Sequence, residues 1–101
     1  MENVEEITIT KNKIDYSEIK KWNVIIHNDD TTTMDFVISI LMELFKHTEE
    51  KANGIALKIH IEGKCVVAQY TYEIAQQKAS DATEVANVCG FPLRVTIERD
   101  E

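Results

Sequence analysis

The chain has 101 residues, with 18 acidic against 11 basic side chains and a formal charge of -7, so it has room for one domain around one modest core. That charge disfavours nucleic acid or an anionic membrane as a partner, since both call for clustered Lys and Arg, and leaves other proteins as the fitting partners. No apolar run approaches the ~20 residues of a membrane span and the first residues lack the apolar core of a secretion signal, which predicts a soluble, cytoplasmic protein.

Residues 1–19 mix Glu, Thr, Lys and Asn with isolated Ile and Val, without a sustained period of 2 or 3.6, and read as a flexible amino-terminal extension ahead of a core domain at 20–101. From Trp22 the alternation of Trp22, Val24 and Ile26 with Asn23, Ile25 and His27 predicts a strand with one well-buried face. It ends at the polar cluster Asn28-Asp29-Asp30. Thr32 or Thr33 then supplies a capping hydroxyl, and Asp35 favours the positive end of a helix beginning near Met34. Met34, Phe36, Val37, Ile38, Ile40, Leu41, Met42, Leu44 and Phe45 cover more of that helix than a single buried stripe needs. Such a helix is either the central core helix or, near its start, the wall of an apolar pocket.

Thr48 as cap, Glu49 and Glu50 in the first turn, and Ala52, Ile55, Ala56 and Ile59 at helical spacing predict a second helix running to about His60. Glu62-Gly63 reads as a turn into a strand from Lys64 to Tyr70. Thr71 is expected to cap a third helix, Tyr72 to Cys89, whose Ala75, Ala79, Ala82 and Ala86 allow close approach to a sheet and which stops at Gly90-Phe91-Pro92. Leu93, Val95 and Ile97 form a last strand. The predicted order is β-α-α-β-α-β, an α+β fold with a small antiparallel three-stranded sheet packed against three helices.

The polar cluster beside apolar surface suits a ligand that is cationic at one end and hydrophobic at the other, such as a peptide amino terminus. In extended chain Asn28 and Asp30 fall on one side and Asp29 on the other. A protonated α-amine, with an intrinsic pKa of about 8, wants an amide oxygen, a carboxylate and a third acceptor. His60, at the end of the second helix, is the candidate for that third point. The competing readings are ordinary turn and capping chemistry at Asn28-Asp29-Asp30, a surface or helix-dipole role for His27 and His47, and a small metal- or acid/base-dependent hydrolase using Asp29, Asp30 and His60. No H-x-x-x-H or C-x-x-C spacing, nucleophile elbow or glycine-rich phosphate loop is present, so neither a metal nor a cofactor is called for; Cys65 and Cys89 read as reduced structural thiols.

Four segments together resemble the ClpS family of bacterial Clp protease adaptors. HNDDTTTMDFV is similar to the family's (H/N)NDDxTPMEFV, KANGIALKIHIEGKCVV to its second helix ending V-H-x-x-G-K, TYEIAQQKA to its T-x-E-x-A-x-x-K helix start, and GFPLRVTIER to its terminal H-P-L strand. The resemblance implies a non-enzymatic N-degron adaptor that recognises N-end rule substrates, proteins beginning with Phe, Tyr, Trp or Leu, and delivers them to the ClpA unfoldase of ClpAP. Carried over by position, Asn28, Asp29, Asp30 and His60 would contact the α-amine, and Thr32, Met34, Val37, Ala56, Ile59 and Leu93 would form the side-chain pocket. Glu73 and Lys78 would face the N-terminal domain of ClpA, and the amino-terminal extension would engage the unfoldase pore. Two departures from the pattern stand out. Thr33 replaces the usual Pro, which frees φ at the helix start, and Ala56 stands where many members carry a bulky pocket Met, which predicts better acceptance of Ile or Val.

Overall fold

The computed structural model describes residues 21–100 and, ahead of them, two short strands, β1 (Thr8–Thr10) and β2 (Lys13–Asp15). These two pair antiparallel, Ile9 opposite Ile14, a hairpin that the aperiodic sequence does not announce. The remainder of the predicted extension lies outside the described residues.

The core domain follows the predicted order: β3 (Trp22–His27), α1 (Met34–Glu43), α2 (Glu49–Glu62), β4 (Lys64–Tyr70), α3 (Tyr72–Val88) and β5 (Arg94–Arg99). β3 lies in the middle of an antiparallel sheet ordered β4-β3-β5. Its alternation decides the layering. Val24 and Ile26 are fully buried in the main core with Leu41, Ala52, Ala75, Ala82 and Ala86, while the opposite face carries Asn23, Ile25 and His27. On that face Gln69 donates to Asn23 Oδ1 at 2.8 Å, and His27 Nε2 lies 2.8 Å from Thr96 Oγ1. Four buried alanines of α3 face the sheet at the spacing the sequence prescribes, letting the helix pack close.

β4 carries a bulge. Val24 pairs with Ala68 but Ile25 with Val66, which leaves Val67 as the inserted residue, buried and without a cross-strand partner. The Val67 carbonyl accepts from His47 Nε2 at 2.7 Å, so that ring nitrogen carries the proton. His27 and His47 are thus both half-buried with defined partners rather than surface residues.

Helix ends mostly follow local chemistry. Thr33 Oγ1 accepts from Phe36 N–H and Thr48 Oγ1 from Lys51 N–H, satisfying orphan donors of α1 and α2. Thr71 departs from expectation: it occupies the cap position of α3 in an extended conformation, yet its hydroxyl makes no capping bond. Gly90 at φ 84° closes α3 with Phe91 N–H on Ala86 O and Gly90 N–H on Asn87 O, a Schellman arrangement. Phe91 then lies 4.7 Å from Phe36, centroid to centroid, bracing the start of α1.

Candidate functional site

The antiparallel pairing of β3 with β4 brings the end of the first strand to the turn that follows α2. Gly63 ends α2 at φ 93°, a conformation that favours glycine, with its N–H on Ile59 O. Its carbonyl accepts from the Asn28 N–H at 2.8 Å. That bond sets the loop after β3 beside the last turn of α2, where His60 stands.

Between this loop, the start of α1 and the end of α2 lies a cavity of about 230 Å³ lined by Asn28, Asp29, Asp30, Thr32, Met34, Val37, Ala56, Ile59 and His60. Its floor is apolar: Val37, Ala56 and Ile59 are buried, and Ala56 is 2% exposed. The rim is polar and open, with Asn28, Asp30 and His60 exposed and Met34 39% exposed at the edge. Among the described residues no hydrogen bond engages the side chains of Asn28, Asp30 or His60. The cavity therefore joins an apolar hole to acceptor groups left open to a ligand. It falls below the ~300–1,000 Å³ of typical small-molecule pockets, the size for one side chain.

The two aspartates have separate environments. Asp29 Oδ2 accepts from Thr31 N–H at 3.1 Å, from Thr31 Oγ1 at 2.8 Å and from Thr32 Oγ1 at 2.8 Å. These bonds, that of the Thr32 hydroxyl foremost, hold the Asp29 carboxyl below its ordinary range. One oxygen of Asp29 is thus committed to folding the turn that presents Asp30. The spacing D-D-T-T carries this signal in the sequence as an Asx-type turn.

Nine of the ten residues expected at the α-amine and side-chain sites line this one cavity. Leu93 is the exception. It precedes β5 and is 5% exposed, buried in the same core cluster as Val37, Ala56 and Ile59 but not among the residues lining the cavity. The expected partner-binding pair, Glu73 and Lys78, lies on α3. Lys78 Nζ donates to Leu44 O at 2.9 Å and lies 5.9 Å from the Tyr70 ring centroid, engaged with the carboxyl end of α1. Glu73 is exposed in the first turn of α3. Five positions apart on a helix, the two point about 140° away from each other.

No group of three or more His, Cys, Asp or Glu among the described residues is placed to hold a metal ion.

The sequence profile of the family described as ATP-dependent Clp protease adaptor protein ClpS matches residues 17–96. The chain belongs to the ClpS family. ClpS relatives bear this out along most of their length: the ATP-dependent Clp protease adapter protein ClpS of Helicobacter hepaticus is 48% identical over 81 residues, covering 80% of this chain and 82% of the relative. That of Wolinella succinogenes is 41% identical over 91 residues, covering 90% and 89%, and that of Campylobacter jejuni subsp. jejuni 42% over 93 residues, covering 92% and 97%. Among solved structures, Agrobacterium tumefaciens ClpS2 bound to L-phenylalaninamide matches with a TM-score of 0.78 and 33% identity, over 80% of this chain and 98% of that one. The ClpS family is one of protease adaptors, not of enzymes, and no helix among the described residues is long and apolar enough to cross a membrane.

Proposed function

We propose that this ClpS family member is an N-degron adaptor of the cytoplasm: it binds proteins that begin with Phe, Tyr, Trp or Leu and hands them to the ClpA unfoldase of ClpAP, making and breaking no bond itself. The observation that carries the reading is the cavity's division into an apolar floor and a rim of unengaged acceptors. The first side chain of the substrate enters against Val37, Ala56 and Ile59. Its α-ammonium stays at the mouth, donating to the Asn28 amide oxygen, the Asp30 carboxylate and a ring nitrogen of His60, with the second oxygen of Asp29 close by. L-Phenylalaninamide, the ligand of the A. tumefaciens relative, has this pair of features, a free α-amine and one hydrophobic side chain.

Magnitudes support a division of labour. Burying a Phe or Leu side chain contributes about 1.5–3 kcal/mol, and each hydrogen bond from a charged donor a further ~1.5–3 kcal/mol. Apolar contact alone gives weak and indiscriminate binding, whereas the rim restricts recognition to chain ends. Glu73 and Lys78 on α3 face ClpA, Glu73 exposed and Lys78 also bonded to the Leu44 carbonyl at the end of α1.

Isothermal titration with a Phe-initiated peptide and its acetylated twin tests the reading. We expect saturable one-to-one binding of the first and none of the second. Equal affinity for both removes the α-amine from recognition, and with it the proposal.

A further inference from the structure

On the other flank of α2 from the cavity, a second and more open groove of about 690 Å³ runs between the helix and β4. We propose that this groove binds an extended acidic segment of a partner protein, whose carboxylates meet Lys21, Lys51 and Lys58. Charge is the first argument. Those three ammonium groups line the groove with no Asp or Glu among its described lining residues, although Glu62 acts on the lining Cys65 and Asp100 Oδ2 accepts from the lining Gln69 at 3.1 Å, in a chain whose acidic side chains outnumber its basic ones 18 to 11. In such a molecule a groove lined by three cations is a place where an anionic chain is drawn in.

Spacing is the second. Lys51 and Lys58 are seven residues apart on α2, about 10 Å along its axis. An extended peptide covers that distance in about three residues. At the start of β4 the Cys65 thiol is pushed up by burial, with Lys58 pulling it down and Glu62 opposing Lys58, so a cation and a carboxylate both stand near this end of the groove. The three cations share one groove with the β4 residues Cys65, Val66, Val67, Ala68 and Gln69.

Gly54 is the third and most particular. Gly63 and Gly90 stand at φ 93° and 84°, where side chains are strained, but Gly54 sits inside α2 and a Cβ there would meet nothing within 4 Å. A helical interior glycine costs about 0.5–1 kcal/mol relative to alanine, and among the described residues no packing contact requires it. Its bare backbone forms part of the groove wall, leaving room for another main chain to approach closely.

The mode of binding follows from β4. It is an outer strand of its sheet, but the bulge at Val67 and the His47 bond to the Val67 carbonyl interrupt the regular edge. A continuous ladder with an incoming strand is thereby broken, so charge supplies the affinity and salt weakens it. Basic residues beside an open strand also repel other strands, and a purely protective role predicts no such binding.

The test uses the full chain and an acetylated, dye-labelled peptide of repeating Glu-Val-Ser units, with a Lys-Val-Ser repeat as control, read by fluorescence anisotropy. The Glu peptide is expected to bind saturably and to weaken as salt rises from about 50 to 300 mM. Gly54→Leu, and separately Lys51→Glu with Lys58→Glu, should lower its affinity by at least about tenfold. Both variants should keep the affinity for Phe-initiated peptide within about twofold, since neither touches the cavity. Gly54→Leu should melt no lower than the parent, leucine being the better helix former. Undiminished binding to Gly54→Leu, equal binding of the Lys repeat, or displacement of the Glu peptide by a Phe-initiated one would each overturn the proposal.

Discussion

The Asn28 N–H and the Gly63 carbonyl meet at 2.8 Å, and through that bond the loop after β3 is registered against the last turn of α2. Rim residues far apart in sequence, Asn28 and Asp30 on one side and His60 on the other, thereby come to border one cavity. Recognition and stability are coupled at this point.

Gly63→Ala should show the coupling. Forcing a side chain into the left-handed conformation at φ 93° costs about 1–2 kcal/mol, and any local relaxation pulls the Gly63 carbonyl away from Asn28. Denaturant titration should show the destabilisation, and peptide titration a loss of affinity as well. Gly90→Ala, strained in the same way at φ 84°, should lower stability too, but leaves the bond between Asn28 and Gly63 intact.

Asp30→Asn and His60→Ala should each weaken a Phe-initiated peptide by roughly 10- to 150-fold, the equivalent of one hydrogen bond from a charged donor. Neither side chain makes a hydrogen bond within the described fold, so melting temperatures should stay close to the parent's. A large drop in melting temperature would assign these residues to the fold instead.

Ala56 is 2% exposed on the cavity floor, and a longer side chain there would occupy the space offered to the ligand. Ala56→Met should penalise Ile-initiated peptide more than Leu-initiated peptide, because branching at Cβ widens the side chain near the mouth. The expected difference is about 1–3 kcal/mol, the size of one methylene's worth of discrimination. Competition between the two peptides on parent and variant measures it; an unchanged ratio means that Ala56 does not set the choice.

Acid should weaken the fold through His27. Burial, with Arg94 and Lys64 nearby and Glu98 opposing them, holds this ring below the ordinary histidine value of 6.5. The folded chain prefers the neutral ring and the unfolded chain takes up the proton first, so the contribution to stability is complete above 6.5 and is lost as pH falls through that value toward the lower folded one. Urea midpoints at about pH 7.5 and 5.5 should differ less for His27→Gln than for the parent. Asp29 obeys the carboxylate version of the rule. Its pKa is depressed below the ordinary 3.8, so its contribution persists above that value and fades only in stronger acid.

What the sequence made legible follows from local periodicity. Strand alternation at Trp22–His27, the alanine register of α3, the glycine-ended helices and the apolar excess of α1 all appear in the fold as read, because each is a preference expressed within one element. The cavity was legible through a coincidence of two local signals, a polar cluster at a strand end and apolar residues at a helix start. What escaped was set by contacts between distant segments. The bulge at Val67 inserts one residue without disturbing the apolar pattern of β4, and the His47 bond that accompanies it spans twenty positions. Lys78 has the composition of a surface residue, and only the packing of α3 against the end of α1 reveals its bond to Leu44. Leu93 is buried in the core and absent from the cavity's lining, a placement that only the packing of distant segments decides.

The contact between Phe36 and Phe91 gives the molecule's closing segment a say in how its entrance behaves. The wall that bears Met34 is stiffened from behind by a ring contributed late in the chain, in the link between α3 and β5. Trimming that ring would leave the cavity's lining untouched in name while loosening the doorpost, so that the choice among incoming side chains blurs without the loss of one contacting atom.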